Sequence, residues 1–418
     1  MKNILIAIRS IFKKGRHNVM KIVSLGIGLA VGLVLIAKVY FEQSYDDFYP
    51  DRDRVYQVWA KYQQNGGELK DYPQTSGGIA PTMQQQIPEI ETVTRYTSFG
   101  DWTFTMTDTK MKYSGRCIIA DSCFFDILPR PMLIGNAKEV LSTPMYVLIS
   151  SRIAKNIGGD VIGKNFTVDN SPGRTMTIGG VFEEVPENSH SRYDVIVSMA
   201  SAGRFMWEGS PTNMLGNDRY ISYVKLHKGV NPLALEEQVR TFVNSYFPPE
   251  EQQKVGLSID FSFHKLDNLH KELPQVKRMT WILSLLAFAL IFTAVMNYIL
   301  IVISSIVNRS KEVAVHKCYG ASENNIHGMM FGEALVHIVL SLILALLLIL
   351  AFRGTVEELL ATSLDSLLLS NGSLVLLGIC ILVFFVSGFM PGSLYARIPV
   401  ASAFRNYREN KRIWKKAL

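Results

Sequence analysis

Cysteine is scarce in this chain, with four among 418 residues, and that excludes a disulfide-stapled scaffold. Cys117 and Cys123 are close enough in sequence for one bridge, and their pairing stays open. Metal-ligand spacing is missing too. The eight histidines form no H-E-x-x-H or similar set, and His190, His227, His264 and His270 are scattered. No G-x-S-x-G nucleophile elbow occurs. Gly158 to Asn165 nearly matches the phosphate loop G-x-x-x-x-G-K-[ST], but Asn165 offers no hydroxyl for magnesium, so a turn is the expectation. The adjacent carboxylates Asp46/Asp47 and Glu183/Glu184 should point apart rather than work as acid and base. There is no short repeat or low-complexity tract. No catalytic residue, metal site or cofactor site is expected in the chain itself.

Charge is absent over long stretches instead. Met279 to Val307 holds no formal charge. A bilayer core about 30 Å thick needs roughly 20 apolar residues per helix, and four runs qualify: 19–40, 279–307, 334–352 and 367–395. Apolar residues make up 48% and mean hydropathy is +0.16, which suits a few spans plus one sizeable soluble part. The first run lacks a small-residue cleavage site and is read as a retained span. Lys38 near its outer end should snorkel to the interface.

The charges that do occur sort by region. Residues 1–21 carry six cations and no acid, and the tail after Arg397 carries six cations against Glu409. Residues 41–276 carry 23 basic and 29 acidic side chains. The positive-inside rule then places both termini and a hairpin at 308–330 in the cytoplasm, and 41–276 with the short loop 353–366 outside. The net charge of +7 follows from this topology, so nucleic acid is not an expected partner. Residues 1–18 fit an amphipathic elbow helix before the first span.

Alternation and turn residues predict strands at 54–61, 91–99, 112–119, 144–149, 175–181 and 258–266, and helices at 81–87 and 233–246. The outer segment therefore reads as α+β. Within the spans, the polar residues Asn297, Glu333 and His337 are candidate sites by default; a helix–helix hydrogen bond suits Asn297, and an interfacial position suits Glu333. So few intramembrane charges do not suit an ion-coupled transporter.

The hairpin holds the most specific pattern. Glu312 and His316 are spaced i, i+4, Gly320 suits a left-handed helix stop, and Ser322 suits an N-cap. A short, capped, charged helix displayed in the cytoplasm is expected. The sequence here resembles FtsX/MacB-type permeases of ABC transporters, whose inner hairpin reads roughly R-x-K-E-[IV]-[AG]-[IV]-R-K-x-x-G-A before a helix ending in E-A. Arg309, Lys311, Glu312, Val313, Ala314, Val315, Lys317, Gly320, Ala321, Glu333 and Ala334 match in order, with His316 in place of the usual arginine. Similar matches run through Glu42 to Phe48, Asp53 to Val58, Ala120 to Asp126, Gly179 to His190, and Gly388 to Gly392 followed by Ile398 to Val400.

The resemblance implies a fold of four transmembrane α-helices, with a large MacB-like α+β extracytoplasmic domain between the first and second. It implies an inner-membrane permease subunit that is not itself an enzyme. A separate cytoplasmic ABC ATPase would bind ATP and magnesium and dock on the hairpin through Arg309, Lys311, Glu312, Val313, Val315, His316, Lys317, Gly320 and Ala321. A second permease copy is implied, as a homodimer or paralogous heterodimer, and a periplasmic adaptor is compatible. Export and mechanotransmission both occur in such a family. From the residues alone, an ATPase-independent four-span sensor or scaffold is the alternative.

Overall fold

The computed structural model describes residues 18–169, 171–320, 322–369, 373–375, 378, 379 and 382. The elbow helix expected at 1–18, most of the fourth apolar run and the basic tail lie outside the described residues, save Asn18. The chain divides into two compact units, Met1–Gln43 with Pro274–Leu418, and Ser44–Leu273.

The first unit opens with α1 (Asn18–Gln43). The second unit is built on a mixed sheet of eleven strands among the described residues: β1 (Val55–Gln64), β2 (Leu69–Tyr72), β3 (Ile90–Met106), β4 (Lys112–Ala120), β5 (Met132–Ile134), β6 (Tyr146–Ser150), β7 (Asn165–Val168), β8 (Ser171–Phe182), β9 (Val195–Ser198), β10 (Ile221–Leu226) and β11 (Leu257–Lys265). Its order is β11-β1-β10-β3-β4-β9-β6-β8-β5, with β2 on β1 and β7 bridging β3 and β8. The pairs β4–β9 and β6–β8 are parallel and the others antiparallel. Its helices are α2 (Ile79–Gln86), α3 (Phe124–Ile127), α4 (Ala137–Ser142), α5 (Ser151–Ile157), α6 (Glu236–Tyr246) and α7 (Pro249–Val255).

Period-two geometry distributes the core between both faces of this sheet. Val195 and Val197 of β9 join one apolar cluster with Val147, Ile149, Phe166 and Met176, while Ile196 joins another with Leu148, Phe182 and Tyr193. Strands buried on both faces read as continuous apolar runs rather than alternating ones. At the other end, α2 and α6 cover β1, β10 and β11 through Ile79, Met83, Val239, Phe242, Val58, Val224 and Phe261. β3 is 17 residues long because a bulge between Ser98 and Gly100 lets it bend while staying paired; Gly100 takes φ +73°, open to a residue without a Cβ.

The first unit continues with α8 (Pro274–Cys318), α9 (Glu323–Ala351), α10 (Arg353–Leu360) and α11 (Leu364–Leu368). Among the described residues three helices are long and apolar enough to cross a membrane: Asn18–Gln43, and the stretches Pro274–Leu300 and Gly332–Ala351 of α8 and α9. α1 is the centre of their packing. Leu25, Leu29 and Leu33 bury against Tyr298 of α8 and Ile338, Ala345 and Ile349 of α9. Glycines permit this approach: a Cβ on Gly28 would overlap that of Ala294, and one on Gly26 would meet Leu344. The loop expected at 353–366 holds the two short helices α10 and α11, with Arg353 bonded to Glu357 at 2.9 Å and to Asp365 at 3.2 Å.

Candidate functional site

The residues expected to meet an ATPase lie, as far as Lys317, on the end of α8 rather than on a separate hairpin helix. α8 runs unbroken for 45 residues, about 67 Å at 1.5 Å per residue. No proline or glycine occurs between Gln275 and Tyr319, so nothing in the backbone stops the helix where the apolar run ends. Arg309, Lys311, Glu312, Val313, Val315, His316 and Lys317 occupy its last three turns or so. Val315 and Cys318 are exposed, and Tyr319 is 88% exposed. Gly320 takes φ +81° and ends the helix in the left-handed conformation expected of it. Ala321 lies outside the described residues. Ser322 directly precedes α9, where an N-cap belongs.

Two of the polar residues singled out in the apolar runs, Asn297 and His337, meet partners on α1. Asn297 of α8 donates to Ser24 Oγ of α1 at 2.5 Å. His337 of α9 lies with Nδ1 2.7 Å from the Glu333 carbonyl and Nε2 3.1 Å from the Asn18 side chain. Ser341 donates to the Ile22 carbonyl at 3.2 Å. Asn18, Lys21, Glu333 and His337 are all buried. Lys38 departs from expectation. Instead of snorkelling, it is buried, 2.5 Å from Glu42, 2.9 Å from Thr362 Oγ1, and 5.0 Å from the centre of the Phe41 ring. A buried cation persists when such partners replace its water.

In the outer domain a buried polar network surrounds Asp46. Its carboxylate accepts from Ser189 Oγ at 3.0 Å, from the His190 backbone N–H at 3.3 Å, and from His190 Nδ1 at 2.7 Å. His190 Nε2 faces the Tyr223 hydroxyl and lies 3.0 Å from Ser191 Oγ, which is 2.7 Å from the Tyr96 hydroxyl. Burial pushes the Tyr96 phenol up to about 12 and that of Tyr223 well above its ordinary value, so both stay protonated and able to donate. Asp46, His190 and Ser191 are connected in the order of a hydrolytic triad. Ser191, however, is 4% exposed and shared with Tyr96, which leaves no room for a substrate carbonyl. The network is structural. Asp47 points elsewhere, to Arg52 at 3.2 Å and Lys271 at 3.3 Å, as expected of neighbouring carboxylates.

The near-match to a phosphate loop is a turn. Gly158, Gly159 and Gly163 all have φ between +65° and +76°, and the segment joins the end of α5 to β7. A phosphate loop runs from strand to helix, with the helix N-terminus facing the phosphate, and here the order is reversed. Cys117 and Cys123 are both free thiols, Cys117 fully buried in β4 and Cys123 donating to the Val93 carbonyl at 3.1 Å. Among the described residues no group of three or more His, Cys, Asp or Glu side chains is placed to hold a metal ion. A groove of about 1300 Å³ beside β11, bounded by α6 and α7 and lined by Lys61, Glu236, Arg240, Gln252 and Asp260, had no signal in the sequence.

Residues 20–242 match the family model of the MacB-like periplasmic core domain, and residues 284–400 match that of the FtsX-like permease C-terminal region. Among solved structures, the chain is similar to a domain described as coming from a permease protein of Porphyromonas gingivalis (33% identity over 52% of this chain and 91% of that one, TM-score 0.48). It is also similar to the periplasmic region of MacB from Actinobacillus actinomycetemcomitans (16% identity, 52% and 91%, TM-score 0.33). The extracellular domain of the noncanonic ABC-type transporter YknZ from Gram-positive bacteria is a third (11%, 49% and 98%, TM-score 0.35). No curated protein matches the sequence.

Proposed function

We infer that this chain, which belongs to the FtsX/MacB-type family of ABC transporter permeases, works as a lever turned by a separate ATPase. The family is one of membrane permease subunits with a periplasmic domain. In the reading proposed here, a cytoplasmic ABC ATPase carrying ATP and magnesium docks on the end of α8 and the turn after it. Arg309, Lys311, Glu312, Val313, Val315, His316, Lys317, Gly320 and Ala321 form the docking surface. Two permease copies, each with its own ATPase, are drawn together as the ATPases close. α8 carries the motion to the domain formed by residues 44–273, which acts on an envelope partner, an adaptor or an exported substrate. Both termini lie in the cytoplasm, in accord with the six cations among residues 1–21.

One observation carries this reading: the charged segment and the second apolar run are a single helix of 45 residues without a breaker. A displacement at Lys311 is therefore a displacement of the whole helix, because a continuous hydrogen-bonded ladder has no hinge. The test is co-purification of the tagged full chain from its own membranes. The wild type should retain an ABC ATPase, and the reversals Lys311→Glu, Glu312→Lys and Lys317→Glu should release it. A membrane-inserted chain that retains no ATPase, with partners unchanged by the reversals, would instead make it an ATPase-independent sensor or scaffold.

A further inference from the structure

We propose that the adjacent aspartates Asp46 and Asp47 are positioning residues that form the load-transmitting junction of the outer domain. Asp46 fastens the first chain entry to the sheet, and Asp47 fastens it to the second. This deepens the lever reading and rests on it for its purpose. The outer domain is Ser44–Leu273, so the chain enters at 44 and leaves at 273, and load carried along the covalent chain arrives through those two ends.

At the first end, Asp46 has φ +60° and is fully buried. A left-handed conformation is unfavourable for a residue other than glycine, and it persists where the surroundings over-determine it. The surroundings here do so. The Asp46 N–H donates to the Asn188 carbonyl at 2.9 Å, and Asn188 Nδ2 donates back to the Ser44 carbonyl at 2.7 Å. The carboxylate holds Ser189 and His190, and through His190 and Ser191 the bonds reach Tyr223 of β10 and Tyr96 of β3. Those are neighbouring strands in the middle of the sheet order. A pull on Ser44 is thus delivered to the core rather than to a loop.

At the second end, four charges close an alternating ring. Asp47 lies 3.2 Å from Arg52 and 3.3 Å from Lys271; Asp267 lies 2.8 Å from Lys271 and 3.6 Å from Arg52. The Tyr45 ring stacks on His270 with centroids 3.4 Å apart. Exposed ion pairs are weak singly, and a ring that shares each charge between two partners gains from geometry. The left-handed turn at Asp46 separates the two roles: one carboxylate faces inward and the next faces the returning chain.

The test uses the full-length, cysteine-free chain in lipid nanodiscs with spin labels, and needs no ATPase. One pair, at Glu68 and Leu285, spans the junction; a second, at Glu68 and Leu133, lies within the outer domain. In Asp46→Asn, and in the double variant Asp47→Asn with Lys271→Gln, the first distance distribution should broaden about twofold while the second is unchanged. Should Asp46→Asn broaden the internal pair as well, the double variant, which spares every buried bond, decides. The proposal is overturned if the first pair stays narrow in the double variant with the internal pair intact, or if it is already as broad in the wild type. The co-purification experiment can fail while this one succeeds, and the reverse, so the two ideas fall separately.

Discussion

His264 of β11 is half-buried, its ring stacked on Trp59 with centroids 4.1 Å apart and its Nε2 3.0 Å from Ser262 Oγ. Burial pushes the imidazole below its ordinary value, against a smaller upward pull from Asp71. The unfolded chain then binds this proton at a higher pH than the folded one. The contribution to stability is full above the ordinary value of about 6.5 and is lost as pH falls through the lower folded value. The melting temperature of the full chain should therefore drop between pH 8 and pH 5, and His264→Gln should remove part of that drop. An identical pH slope in the variant would refute the assignment. Residue roles of this kind were legible in proportion to how local their partners are. Asn297 was readable as a helix-bonding amide because it interrupts an apolar run. Lys38 was misread although Glu42, one turn on, was visible, because Thr362 lies 324 positions away. The bond between Asp46 and His190 spans 144 positions and left no trace in the sequence.

Elements were legible where one face is wet. β1 and β11 alternate in burial over part of their length and were expected near their observed positions, whereas β9 and β10 were missed because nearly every side chain is buried. α8 was read as two elements because hydropathy changes at Asn308. A helix responds to backbone breakers rather than to hydropathy, and the first one comes only at Gly320. The packing of α1 on α8 gives the sharpest prediction at this scale. No Cβ fits on Gly28 beside Ala294. Gly28→Ala should cost about 1–3 kcal/mol of helix packing, the usual range for overfilling a close-packed contact. Ala294→Gly should restore much of it in the double variant, because it removes the atom that would collide. Thermal melts of the four proteins in one detergent form the double-mutant cycle that checks this. Equal losses in the single and double variants would mean that the helices meet elsewhere.

At the scale of the whole molecule, charge and hydropathy are strong signals because the bilayer filters both, and they point to a multi-span membrane protein with a large outer segment before any fold is known. The sheet order of the outer domain is set by pairings between distant strands, such as β1 with β11, about 200 residues apart in sequence, and no local pattern encodes them. If the molecule is a lever, its binding and transmitting parts should be separable by a change that substitutes no docking residue and keeps those from Lys311 to Lys317 on one helix. Ser310 lies within α8, between the apolar run and most of the charged segment. Proline there removes one backbone hydrogen bond and clashes with the carbonyl one turn earlier, costing about 3 kcal/mol or kinking the helix. The docking residues after it remain helical, so the ATPase should still co-purify. ATP should no longer move the outer domains, read as the distance between spin labels at Glu68 on two copies. Ser310→Ala, a good helix former, should behave as wild type. If Ser310→Pro kept the full ATP-dependent distance change, motion would have to reach the outer domain by a route other than α8, and the lever would be the wrong machine for this chain.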